Sequence, residues 1–451
     1  MAPTMATGMA TDDRATLAHG IGGASDLPIP PELAIAGAVA ALTISFTVLA
    51  LAWRRPRYDG VDRDHPAPAW LSRIADSTSL LVAARTFGLA LFLFAVVAAV
   101  FGQDLLINPV LGMVYILLWI GIVPMSLLLG PFWKAISPVR TLHAGLSRLT
   151  RSDPEEGMFG YPERWGYWPA AVGLYAFVWL ELVYPFRTEV GSVRLWFAVY
   201  VAVMLIGGAA FGNRWFARAD PFEVYSTLVG KLSVWARREG RLVLRSPLAN
   251  LATVSAAPGL VAVGAVLFGS TAFDSFHASN FWVRHTQTTS VDTVLLNNLV
   301  LLGFCVLVGM IFAGASAATG VGPGTRRSEL PGRFAHSLVP IIVGYMVAHY
   351  LTLLVEGGQN TLIQMSDPFS NGSNLLGTAD WSVNYWLTDH PTFLAVTKVL
   401  GVVLGHVVAV VAAHDRAVHL LPSRHQLTGQ LPLLFAMVGF TAGGLFLLFA
   451  S

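Results

Sequence analysis

The chain has 451 residues, of which 55% are hydrophobic and only 12% charged, with a formal net charge of +2. A soluble domain carries about 25% charged residues, so this composition excludes an ordinary water-soluble enzyme, a disordered chain and a nucleic-acid binder. Its apolar residues fall in blocks long enough to cross a bilayer, which takes about 20 in a row, and the expected fold is all-α, a polytopic transmembrane helix bundle.

The first thirty residues form a Gly/Pro-rich tail, read as extracytoplasmic. It lacks a basic stretch followed by an apolar core, so no cleaved signal peptide is expected. The tail runs His19-Gly-Ile-Gly22-Gly23-Ala-Ser-Asp26-Leu-Pro28-Ile-Pro30. It is either a flexible leader or a segment that folds over the outer mouth of the bundle and brings His19 and Asp26 to a site there.

Residues 31–451 form the transmembrane domain, in about ten spans at 31–53, 80–101, 105–130, 168–185, 194–211, 251–273, 292–316, 336–355, 393–413 and 431–450. Irregular backbone cannot face lipid unsatisfied, so these blocks are read as helices. Lys and Arg crowd into the loops after spans 1, 3, 5, 7 and 9, from Arg54 to Arg424. The alternate side holds only Arg14, Arg187, Arg194 and Arg284. Basic loops stay in the cytoplasm, which places both termini outside and the protein in the inner, or plasma, membrane. Gly401-x-x-x-Gly405 and Gly439-x-x-x-Gly443 offer faces on which helices can pack closely.

A motif repeats after spans 3 and 5. Gly130-Pro-Phe-Trp133-Lys-Ala-Ile-Ser137-Pro138 and Gly212-Asn-Arg-Trp215-Phe-Ala-Arg-Ala-Asp220-Pro221 share Gly-x-x-Trp-x-Ala, then Ser or Asp before Pro. Ser137 and Asp220 each suit the cap of a helix that begins at Pro. The repeat implies that spans 2–3 and 4–5 are duplicates. It also predicts two amphipathic helices along the inner membrane surface, their basic side chains meeting anionic lipids, as would the run Lys231 to Arg245.

Ionisable groups within a membrane are costly and therefore point to function. Arg85 can snorkel from the inner end of span 2. The rest gather on the outer half: Glu181 in span 4, Asp274 and His277 after span 6, Asp292, Asn297 and Asn298 opening span 7, His349 and Glu356 in span 8, Lys398 and His406 in span 9. A centre built from His349, Glu356, His406, Asp274 and His277 is expected, opening outward. His349 and His406, with a carboxylate or His19, would hold one divalent metal ion. Two histidine levels, with His336 and His414 at the inner ends, also match the pattern that holds b-type haem. A hydrogen-bonded polar core without ligand is the remaining alternative. The loop 356–392 has no Lys or Arg but carries Asp367, Asp380, Asp389, His390, Trp381 and Trp386, an acidic, aromatic lid.

The tail motif, together with Asp220-Pro-Phe-Glu-Val-Tyr-Ser226 and Ser270-Thr-Ala-Phe-Asp274, resembles a family of bacterial, largely actinobacterial, multi-pass membrane proteins often labelled fenitrothion hydrolase. The resemblance implies hydrolysis of a phosphotriester-like bond, chemistry that ordinarily uses a metal-activated water or a general base. No His-x-His or His-Glu-x-x-His occurs, so a metal centre would be assembled from separate helices. Three readings follow: a membrane-bound hydrolase acting on a small-molecule substrate, a transporter with Glu181, Asp274 and Lys398 along its path, and a haem or metal redox protein.

Overall fold

The structure is a computed structural model that describes residues 23–58, 64–320, 324–422, 426 and 428–450. His19, Arg14, Arg63 and Arg424 lie outside the described residues. The helices that build the bundle are α1 (Pro31–Ala52), α2 (Thr78–Phe101), a bent pair α3 (Pro109–Leu118) and α4 (Ile122–Leu129), then the short α5 (Trp133–Ile136) and α6 (Pro138–Thr150). There follow α7 (Trp168–Leu182), α8 (Val190–Phe211), α9 (Asn213–Ala219), α10 (Pro221–Gly230), α11 (Leu260–His277), α12 (Thr293–Ala318), α13 (Leu338–Thr352), α14 (Pro391–Leu420) and α15 (Leu431–Ala450).

Among the described residues, eight helices are long and apolar enough to cross a membrane, or nine if the bent pair α3–α4 counts as one span. This makes the chain a multi-pass membrane protein. The expected count was ten. The difference is α7, whose 15 residues reach about 22 Å at 1.5 Å per residue, short of a hydrocarbon layer about 30 Å thick. It nevertheless runs between the two ends of the molecule.

Those ends are defined by contacts between loops. At the basic end, β1 (His65–Pro66), in the loop after α1, pairs with β3 (Arg241–Leu244), in the loop after the fifth apolar block. The sheet is completed by β2 (Trp235–Arg238), in the order β1-β3-β2. Glu239 and Gly240 both take positive φ between β2 and β3, as a tight primed turn requires. Sequence reading gave no strands here. Within the run expected to meet lipid, Arg237 pairs with Asp76 at 2.5 Å, and Arg238 and Arg245 pair with Asp64 at 3.2 and 3.3 Å. At the opposite end Asp104 accepts from the Val190 amide at 2.9 Å, and the Gln103 side chain donates to Ser370 O at 3.2 Å.

The repeated motif does not lie on the surface. Gly130 and Gly212 have nearly the same conformation, φ +76 and +64 with ψ −153 and −160. These values suit only glycine, and they turn the chain back into the bundle. The Ile136 carbonyl then lies against Gly88, midway along α2, and Asp220 meets the hydroxyl of Tyr200, midway along α8. Both Ser/Asp-Pro turns are therefore buried at mid-depth, forming two re-entrant hairpins. Ser137 accepts the Arg140 amide and Asp220 accepts those of Phe222 and Glu223, the expected caps. The surface placement fails because α10 is apolar or paired on every side: Asp220, Glu223 and all but one of its residues are buried, and α6 is exposed only toward its C-terminus.

Candidate functional site

The polar residues expected on the outer half divide into three groups. The first is a connected cluster. Asp274 and Ser275 occupy the last turn of α11, while Tyr345, His349 and Tyr350 line α13. His349 Nε2 donates to Asp274 Oδ2 at 2.8 Å, and the Tyr350 hydroxyl donates to the same oxygen at 2.7 Å. On the other edge of the imidazole, Nδ1 lies 3.1 Å from Ser275 Oγ, which lies 2.9 Å from the Tyr345 hydroxyl. With the proton of His349 on Nε2, the bonds run one way, Tyr345 to Ser275, Ser275 to His349 and His349 to Asp274, while the Tyr345 hydroxyl has a second, longer acceptor in Gly444 O at 3.4 Å. That tautomer is set by the network itself. The His349 side chain is 5% exposed and Asp274 15%.

Glu181, at the end of α7, completes the cluster. Its carboxylate lies within electrostatic range of Asp274 and of Arg187, and one oxygen, Oε2, is buried with no hydrogen-bond partner among the described residues. Tyr225, on the re-entrant α10, lies in range of Glu181 and carries a buried, unpartnered hydroxyl, and its ring packs 5.1 Å from that of Trp119. Tyr115, on α3, lies in range of both Glu181 and Arg187, and its hydroxyl donates to Arg187 O at 2.8 Å. His277 faces Asp274 from the last residue of α11. A buried polar atom left unpaired costs about 1–3 kcal/mol. Here two such atoms, Glu181 Oε2 and the Tyr225 hydroxyl, lie in electrostatic range of each other, and unsatisfied buried groups of this kind are exceptions in folded proteins.

Two stretches of π-helix adjoin the cluster, Met113–Leu118 at the end of α3 and Leu353–Gly357 following α13, and they pack against each other. Such widened turns are rare and concentrate at functional sites.

The second group serves architecture. Glu356, expected in the centre, instead accepts from the Thr388 amide at 3.0 Å and its hydroxyl at 2.8 Å, anchoring the outer loop. Asn297 and Asn298 accept the indole N–H of Trp282 and Trp179 at 2.9 and 2.7 Å. Asp292 caps α12. Lys398 is buried on α14 in electrostatic range of Asp26, so this part of the tail does fold against the bundle.

The third group is the histidines expected to bind metal or haem. His406 Nδ1 donates to Val402 O at 2.8 Å, and its Nε2 is buried and without a hydrogen-bond partner among the described residues. It lies beside Gly405, which packs on Pro340 and Gly344. That is about two turns, or roughly 10 Å, from the level of His349. His349 has both ring nitrogens engaged, so no lone pair is left for a metal. Among the described residues no three His, Cys, Asp or Glu side chains are grouped to hold a metal ion. The shared centre of His349 and His406 is therefore not assembled, and His19 lies outside the described residues. Haem ligation fares no better. His336 contacts the Arg333 and Ala412 carbonyls, and His414 contacts Gln430 and the Trp53 carbonyl.

Ser275, Tyr345, Tyr350 and Tyr115 were not singled out from sequence, and Tyr225 entered only within the motif Asp220-Pro-Phe-Glu-Val-Tyr-Ser226. Only the i, i+4 spacing of Tyr345 and His349, which shares a helix face, was available as a signal. Fold and site together define a multi-pass helical membrane protein with a buried, hydrogen-bonded acid–imidazole–phenol cluster near its less basic end. Comparison with protein-family models, with curated proteins and with solved structures finds no match.

Proposed function

We propose that this protein is a proton-conducting transporter of the plasma membrane, with both termini outside, in which Asp274 and His349 take up and release the transported proton. The observation that carries this reading is the one-directional chain Tyr345–Ser275–His349–Asp274. A proton arriving on Tyr345 passes to Ser275 and His349 as the Nε2 proton moves to Asp274, and each hydroxyl gives up one proton as it accepts another. Glu181 and the unpartnered Tyr225 hydroxyl continue the path toward α10. The two re-entrant hairpins and the broken helix α3–α4 support the reading, since irregular backbone at membrane depth accompanies pathways through transporters.

The test is proton movement. Purified protein in liposomes, given an inside-negative potassium diffusion potential, should acidify the lumen faster than empty liposomes, as read by a trapped pH dye. Asp274→Asn and His349→Ala should return the rate to that of empty liposomes. A wild-type rate equal to that of empty liposomes overturns the proposal.

A second reading, the hydrolase implied by family resemblance, is favoured by one observation: Ser275, His349 and Asp274 are bonded in the order of a nucleophile, base and orienting acid. Against it, Ser275 is fully buried within a helix, whose amides are engaged in the helix and leave no oxyanion donors. A fluorophosphonate probe that labels Ser275 in folded protein would favour the hydrolase, whereas an unlabelled Ser275 counts against it.

A further inference from the structure

A cleft of about 980 Å³ opens sideways between α7 and α12, with α11 as its floor. Its walls are apolar, and Val172, Val306 and Met310 on its rim are exposed. Toward the outer end it is closed where α11 meets α12, since Gly269 packs directly against the Cys305 backbone. Toward the basic end it finishes in Ser328, Glu329 and Arg333. The shape is an apolar slot open along one side, with polar residues at one level only.

We propose that this slot holds one acyl chain of an anionic phospholipid from the leaflet at the basic end, with the headgroup at Arg333. Charge selects the headgroup. Arg326, Arg327 and Arg333 stand in this loop against a single carboxylate, Glu329, which pairs with Arg333 at 2.8 Å. Arg327 reaches back to the Ala317 carbonyl at 3.0 Å, holding the loop at the foot of α12. Basic groups at this level attract anionic lipid at about 1 kcal/mol each. A recess of about 980 Å³ falls within the range of ligand pockets, about 300–1,000 Å³, and its polar end sets the level of the headgroup.

Native mass spectrometry tests this on full-length protein extracted from vesicles of equal parts phosphatidylglycerol and phosphatidylcholine. Wild type should retain one phosphatidylglycerol after detergent washing. Val306→Trp, on an exposed rim position that tolerates a larger side chain, should lose it. Arg333→Gln should lower retention about five-fold, and Glu329→Gln should raise it. Circular dichroism and gel filtration establish that each variant is folded, and Glu329→Gln, which removes no packing, keeps the test decisive if Val306→Trp misfolds. Equal retention of the two lipids by wild type, no retained lipid, or undiminished retention in folded Val306→Trp overturns the proposal.

Discussion

Arg140 and Glu223 occupy equivalent places in the two copies of the repeated motif, each three residues after its Ser137 or Asp220 cap, and they are bonded to each other. The guanidinium donates from Nε and Nη2 to the two carboxylate oxygens at 2.5 and 2.7 Å, and both side chains are buried. A second Nη2 bond reaches Asn213 O at 3.1 Å, where α9 begins. Opposite charges at matching positions thus join the two re-entrant hairpins across their interface.

Removing one partner leaves the other charge buried, which costs about 3–5 kcal/mol. Glu223→Gln and Arg140→Met should therefore each lower unfolding stability in detergent by that order. The exchanged pair, Arg140→Glu with Glu223→Arg, should recover part of the loss because the bidentate geometry survives the swap. Denaturant unfolding followed by tryptophan fluorescence measures this. A single variant within about 0.5 kcal/mol of wild type, the range of an ordinary surface substitution, would show that the pair does not hold the hairpins together.

The bond between His349 and Asp274 invites a double-mutant cycle. If the two act as one proton-handling unit, His349→Gln and Asp274→Asn should each abolish vesicle acidification, and combining them should add nothing further. In stability the same pair should show a coupling of about 0.5–3 kcal/mol, the range for residues in one network. Additive stability losses would mean that the two side chains act independently. Tyr345→Phe provides a finer probe. It keeps the ring but removes the hydroxyl that begins the chain, so it should slow proton movement while leaving stability within about 1–2 kcal/mol of wild type, the cost of one buried hydrogen bond.

Much of this architecture could be read from the residues. Charge alternation assigned each loop to an end, because the bilayer sorts Lys and Arg regardless of tertiary detail, and the observed contacts β1 with β3 and Asp104 with Val190 keep those groups together. The caps at Ser137 and Asp220 were legible too, since caps depend on neighbours in sequence, whereas the turns at Gly130 and Gly212 were not read. What escaped was depth. Nothing local distinguishes an amphipathic helix on the surface from one turned inward, and only the opposite charges at Arg140 and Glu223 hinted that the copies face each other. Convergence was legible in part: Asp274, His277, Glu181 and His349 meet, whereas His406 and Glu356 satisfy carbonyl and threonine partners on their own side of the bundle. Helix rotation decides between these outcomes. A helix such as α13, with apolar side chains on nearly every side, carries little sequence record of which side turns inward.

Two glycine motifs that look alike in sequence should behave differently. A Cβ on Gly405 would come 2.6 Å from the Pro340 carbonyl and 3.1 Å from Gly344, whereas Gly439 and Gly443 have nothing within 4 Å. Gly405→Ala must push α13 and α14 apart and should cost about 1–3 kcal/mol, the usual range for overpacking. Gly439→Ala should be neutral or slightly stabilising, since alanine favours a helix interior by about 1 kcal/mol over glycine. Thermal unfolding of the two variants side by side decides whether the Gly401–Gly405 face alone is a packing seam.

The loop 356–392 should carry its own pH dependence, set by Asp367. Slight burial would raise its pKa, but the amides of Asn371 and Gly372 and the hydroxyl of Ser373, at 2.8 to 3.0 Å, outweigh that and hold it below the usual aspartate range. A carboxyl whose folded pKa is depressed stabilises the fold fully above its unfolded value, 3.8, and loses that contribution as pH falls through the lower folded value. Amide hydrogen exchange over 366–378, corrected for intrinsic rates, should therefore be steady down to about pH 5 and then accelerate through pH 4 to 3. Asp367→Asn should show the faster exchange already at pH 7 and no acceleration between pH 5 and 3. Because Glu356 ties the Thr388 end of the loop separately, exchange around Trp386–Asp389 should be unaffected by the Asp367 substitution. A loop that exchanges as one unit in the variant would show instead that the two anchors are coupled.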